Sequence, residues 1–145
     1  MDIGEYIQTG MTSEKRFPVE ERHSALQAGS GGVPVLATPW MIAFMEDAAY
    51  NLLQQALPEG NTSVGVLVDV RHLAPTPIGG EARVRVEITE VSDSVVRFQV
   101  QAWDEREQIG KGVHRRAVID MAHFLKRVAE KESNDPGLPD QTTTD

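Results

Sequence analysis

Between Pro39 and Leu57 apolar residues fall on almost every side of a helix, and from Val64 onward the apolar period switches to two for four consecutive segments. A helix without a wet face has to be wrapped by something. Consecutive strands joined by short turns pair antiparallel. Together these patterns predict one long buried helix held against an antiparallel curved sheet, an α+β arrangement. The main helical stripe is Met41, Phe44, Met45, Ala48 and Leu52, with Ile42, Ala49 and Leu53 on a second face. Thr38 reads as the N-cap and Pro39 as the first helical residue, while Pro58 and Gly60 end the helix.

The strands follow from alternation. Residues 12–20 carry Phe17 and Val19 on one face, and Pro18 marks an edge strand. Residues 28–35 are a Gly-rich loop. Val64, Val66, Val68, Val70 and His72 share one face of the next strand, opposite Gly65, Leu67, Asp69, Arg71 and Leu73. Val84, Val86 and Ile88 point inward from the segment after APTPIGG, and Val96, Phe98, Val100 and Ala102 from the segment after that. In the last strand, Gly110 to Met121, Val113, Ala117 and Ile119 lie opposite His114, Arg116 and Val118. A short amphipathic helix, His123 to Lys131, closes a domain of residues 1–132. Residues 133–145, SNDPGLPDQTTTD, read as a disordered acidic tail.

Composition removes several function classes. Without cysteine there is no disulfide, thiolate metal site or Cys nucleophile. The N-terminus lacks a secretory apolar run, and no stretch is long enough to cross a bilayer, so the expected setting is cytoplasmic, away from membranes. The net charge is −8, and no basic stripe suggests a nucleic-acid partner. His23, His114 and His123 show no metal-ligand spacing, and GSGG at 29–32 follows no strand of a βαβ unit. Neither metal nor cofactor is expected.

Three residues could carry chemistry beside their structural readings. Glu46 falls on the second apolar face of a helix read as buried, where a carboxylate must be paired, solvated in a cleft or protonated. His72 follows four valines at an inward strand position, and its side chain titrates in the range needed for general acid–base work. Thr38 has capping as its plain function. Its hydroxyl can also orient a water or act as a nucleophile, beside helix N-terminal N–H groups that favour an oxyanion.

The stretches VLATPWMIAFMEDAAYNLL (35–53), SVGVLVDVRHLAPTPIGGEARVRVEITEV (63–91) and GKGVHRRAVID (110–120) resemble the fluoroacetyl-CoA thioesterase group of the hotdog superfamily. The resemblance implies a hotdog fold, with the sheet wrapped around the central helix. It also implies hydrolysis of an acyl-CoA thioester and a homodimer, possibly a dimer of dimers, with active sites at the subunit interface. Thr38, Glu46 and His72 match the family's catalytic positions, and Gly65 and Arg116 match two further positions that contact or order the substrate pocket. One position departs. Where the fluoroacetyl-specific enzyme carries an aromatic lid six residues before its Thr, this chain has Gly32, which points to a broader short-chain or aryl acyl group. The alternatives are a hotdog hydratase or dehydratase and a non-catalytic acyl-CoA-binding module.

Overall fold

A computed structural model describes residues 1–132, and the tail read at 133–145 lies outside the described residues. The elements are β1 (Thr12–Pro18), α1 (Ala25–Ala28), α2 (Thr38–Ala56), β2 (Asn61–His72), β3 (Glu81–Ser92), β4 (Val95–Trp103), β5 (Gln108–Asp120) and α3 (Met121–Glu132). All pairings are antiparallel, in the order β1-β3-β4-β5-β2. This is the expected hotdog arrangement, with α2 against the concave face.

Alternation fixes which side of the sheet meets the helix. Ala82, Val84, Val86 and Ile88 of β3 and Val96, Phe98, Val100 and Ala102 of β4 are fully buried, as are Met41, Ala49 and Leu53 of α2. Burying each of the larger side chains contributes roughly 1.5–3 kcal/mol, so these two strands and α2 form the stable centre. Gly110 allows the helix to sit this close, because a Cβ there would lie 2.5 Å from Met41 Sδ.

β1 and β2 are the sheet edges. β1 is a charged edge, as Pro18 suggested, and its Phe17 ring stacks on Phe44 of α2 at 4.4 Å. β2 is different: Val66, Leu67 and Val68 expose 54%, 39% and 42% of their surface along an edge that no described strand covers.

Two expectations are corrected. The five-residue face Val64 to His72 is broken by a register shift between Gly65 and Leu67, which leaves Val66 without a partner on β5. The extra residue turns Gly65, rather than Val66, toward α2. The C-terminal helix is present, but none of its residues is buried, so it does not close the core, and Met121, Leu125 and Val128 stay exposed.

Candidate active site

The Thr38 hydroxyl does not cap α2. The N-cap is Ala37, no side chain caps the helix, and Pro39 follows Thr38 inside the first turn. Thr38 Oγ1 instead lies 2.8 Å from His72 Nδ1, a partner 34 residues away at the end of β2. Of the backbone donors in the first turn, the N–H groups of Trp40 and Met41 both go to Ala37 O, and Pro39 has none. The Thr38 N–H enters none of these bonds and stands at the positive end of the helix dipole.

Burial holds the pKa of His72 below its ordinary value of 6.5, opposed in part by the backbone at Ala74. Its Nε2 is shut off from solvent and unpaired. In the Nε2–H tautomer the neutral imidazole accepts from the Thr38 hydroxyl at Nδ1, the protonation state of a base. Thr38 and His72 open onto a hollow of about 380 Å³ lined by Ala25, Gly31, Val33, Val35, Leu73 and Ala74. That size and this small, mostly apolar lining suit an acyl group. Adding a Cβ to Gly32 would meet nothing within 4 Å, so no lid covers the hollow from that position.

Glu46 sits two helical turns further along α2, about 12 Å from Thr38 at 1.5 Å per residue. Its side chain is 41% exposed and pairs with Arg116 at 3.6 Å, so the misplaced carboxylate is both partnered and partly solvated. Arg116 is itself buried on β5. Its Nε donates to Ser63 Oγ at 2.8 Å and its Nη2 to the Ser63 carbonyl at 3.1 Å, while the face of Tyr50 lies 5.8 Å from the guanidinium carbon. Burial lowers the Arg116 pKa against the pull of Glu46, but a guanidinium stays protonated in any protein setting. Gly65 leaves the space for this pair, since a Cβ there would lie 2.6 Å from Glu46 Oε2.

The five sequence-derived residues thus form two groups within one chain, Thr38 with His72 and Glu46 with Gly65 and Arg116. A further participant, His114, was passed over as one of several scattered histidines. It is 1% exposed, with Nδ1 2.8 Å from the Leu67 carbonyl and Nε2 3.1 Å from Arg116 Nη1. The signal was available, because His114 and Arg116 are two polar residues on the inward face of one strand, the same anomaly that singled out His72. A larger hollow of about 500 Å³ on the outer face of the sheet is lined by Asp69, Arg71, Thr89, Arg97 and Lys111, and none of Thr38, Glu46 and His72 reaches it. No group of His, Asp and Glu among the described residues could hold a metal ion, and no described helix is long and apolar enough to cross a membrane.

An antiparallel sheet wrapped on one long helix in this strand order is the hotdog architecture. The model of the fluoroacetyl-CoA-specific thioesterase family matches residues 19–122, and the chain belongs to that family of thioester hydrolases. It is 35% identical over 97 residues to the fluoroacetyl-CoA thioesterase of Streptantibioticus cattleyicolor, covering 67% of this chain and 70% of that protein. The solved structure of the fluoroacetyl-CoA thioesterase FlK superposes with a TM-score of 0.82 at 28% identity, over 86% of this chain and 97% of that one. A hot-dog-like protein from Thermanaerovibrio acidaminovorans superposes with a TM-score of 0.85 at 25% identity, over 93% of this chain and all of that one.

Proposed function

We propose that the protein hydrolyses a small or aryl acyl-CoA thioester to the free acid and CoA, at a site completed across a homodimer. The observation that carries this reading is the Thr38–His72 hydrogen bond at the open N-terminus of α2, beside a lidless apolar hollow. The thioester carbonyl lies against the Thr38 N–H, which with the helix dipole stabilises the developing oxyanion. Glu46 drives the attack, either on the carbonyl carbon, forming an anhydride as the C–S bond breaks that a water then cleaves to the free acid, or through a water that it orients. His72 exchanges a proton through Thr38, and the CoA thiolate leaves readily with modest acid help.

The distance between the two groups supports the dimer. The bare apolar edge of β2 invites a second strand, and its natural occupant is β2 of another copy. A two-fold antiparallel pairing centred on Asp69, with Val66 out of register at the bulge, would set His72 opposite Gly65 of the partner subunit. The partner's Glu46, which packs over that glycine, then faces the Thr38–His72 pair. Leu67 and Val68 become buried by the same contact.

The test is release of free thiol from acetyl-, fluoroacetyl-, straight-chain, branched and phenylacetyl-CoA, with His72→Ala alongside. Hydrolysis that is lost in the variant is the expected result. Hydration of crotonyl-CoA without thiol release, or tight binding without turnover, would overturn the reading in favour of a hydratase or a binding module.

A further inference from the structure

We infer that His114 is the positioning residue of the site, a neutral hydrogen-bond relay that locks Arg116 against Glu46 and ties that pair to the bulged edge of β2. The inference rests on the thioesterase reading for its kinetic consequence. Its geometry stands independently.

The tautomer follows from the partners. A carbonyl can only accept, so the contact with Leu67 O requires the proton on His114 Nδ1. Nε2 is then a lone pair, and Arg116 Nη1 donates to it at 3.1 Å. A guanidinium offers donors only, so this bond forms only while His114 is neutral. With Ser63 taking Nε and Nη2, the guanidinium is held on three sides, and Nη1 is left directed between His114 and Glu46 Oε2. Leu67 is the first paired residue after the break in register on β2, so the imidazole also fixes the strand where the bulge ends. Phe98 of β4 stacks under the ring at 6.1 Å.

Protonation would release this lock. An imidazolium has no acceptor for Arg116 and would place a second cation against the guanidinium. The charged groups facing His114 are Arg116 on its own strand and Glu46 on α2; β2 presents the Leu67 carbonyl and β4 presents Phe98, while Tyr50 of α2 and Ser63 of β2 lie against Arg116. Burial first, with Arg116 adding to it, keeps the His114 pKa below 6.5 against the opposing effects of the Leu67 carbonyl and Glu46. The lock is therefore closed at neutral pH.

The experiment is a double-mutant cycle of His114→Leu and Arg116→Gln on the preferred acyl-CoA, with His114→Gln as the conservative variant and ring-nitrogen NMR of His114 in the wild-type protein. A residue acting through Arg116 shows non-additivity. His114→Leu is expected to lower kcat on the order of tenfold, the value of a hydrogen bond to a charged group, with a smaller change in KM. It should cost nothing further once Arg116 is gone. His114→Gln, which keeps a donor and an acceptor but cannot be protonated, should restore most of kcat and remove one ionisation from the acid limb. If His114→Leu does not fold, the cycle is run with His114→Gln on the falling acid limb of the wild-type profile, where it should outperform wild type only while Arg116 is present. Additive effects, or a His114→Leu enzyme with wild-type kcat, would overturn the inference. If the wild-type protein hydrolyses no thioester, the proposed function fails, and the NMR still decides the lock. An Nδ1–H tautomer with a slowly exchanging Arg116 Nη1–H, lost in His114→Leu, supports it; an Nε2–H tautomer refutes it.

Discussion

Mixing two inactive variants should recover activity if each site draws Glu46 from one subunit and His72 from the other. Within one chain, Thr38 and Glu46 are eight residues apart on a single helix, about 12 Å along its axis. Acid–base groups must come within roughly 3 Å of the atoms they serve, or reach them through one water. Glu46→Gln and His72→Ala homodimers should each lose on the order of 100-fold or more in kcat. In a mixed dimer one site receives both substitutions and the other receives none. At equal input about half the dimers are mixed, so the refolded mixture should regain about a quarter of wild-type turnover per subunit, and dimers purified through two different tags about half. Thiol release measured beside the oligomeric state provides the readout. If tagged mixed dimers form but show only parental turnover, all three groups act within one chain and the trans arrangement is wrong.

Gly65→Ala should separate activity from stability: it relieves a backbone-entropy cost in the strand worth about 0.5–1 kcal/mol, yet its Cβ displaces the Glu46 carboxylate. Its melting temperature should hold or rise while kcat falls about tenfold or more, measured by calorimetry and thiol release. Gly112→Ala should do the reverse at the level of folding, since its Cβ would collide with the backbone of Asp69 and Val70, at a cost of roughly 1–3 kcal/mol or more read by urea unfolding. Gly32→Phe meets open space and should refill the lid position, lowering the phenylacetyl-to-acetyl preference by about tenfold in kcat/KM. His23, His72 and His114 all have pKa values lowered in the fold, so the unfolded chain binds more protons below pH 6.5. Stability should be fully present above that pH and be lost as pH falls from 6.5 through the native values, a slope visible in melting temperatures and shallower in His114→Gln.

The fold was legible because most of its strands are wet on one face and dry on the other. Alternation identified Val84, Val86 and Ile88 of β3 and the four inward residues of β4, since a slip of one position would have put arginine in the core, but it did not extend to Ala82 at the start of β3. The same logic misread β2. Its valines alternate through the bulge without interruption, so the pattern was consistent with a regular strand, and the only local sign was a glycine in mid-strand. Thr38 was misread for a different reason. Thr-Pro is a sound local capping signal, but the hydroxyl was claimed by His72, and a partner 34 residues away leaves no trace in the helix start.

The two errors have a common consequence for the site. The bulge turns Gly65 toward α2 and so opens the space that Glu46 fills, and the uncapped helix start leaves Thr38 free to meet His72. Each departs from the regular local structure that the sequence favours, and each places one half of the proposed catalytic apparatus. Regular elements fixed the core, whereas the chemistry depends on where regularity was given up. His114 belongs to the same pattern, a polar residue spent inside an apolar face to hold a buried guanidinium beside the bulge. If that is its role, straightening β2 by deleting Val66 should leave α2 and the β3–β4 core folded, with native circular dichroism, while abolishing thiol release. Retained turnover in a folded deletion variant would show that the bulge is incidental to the site.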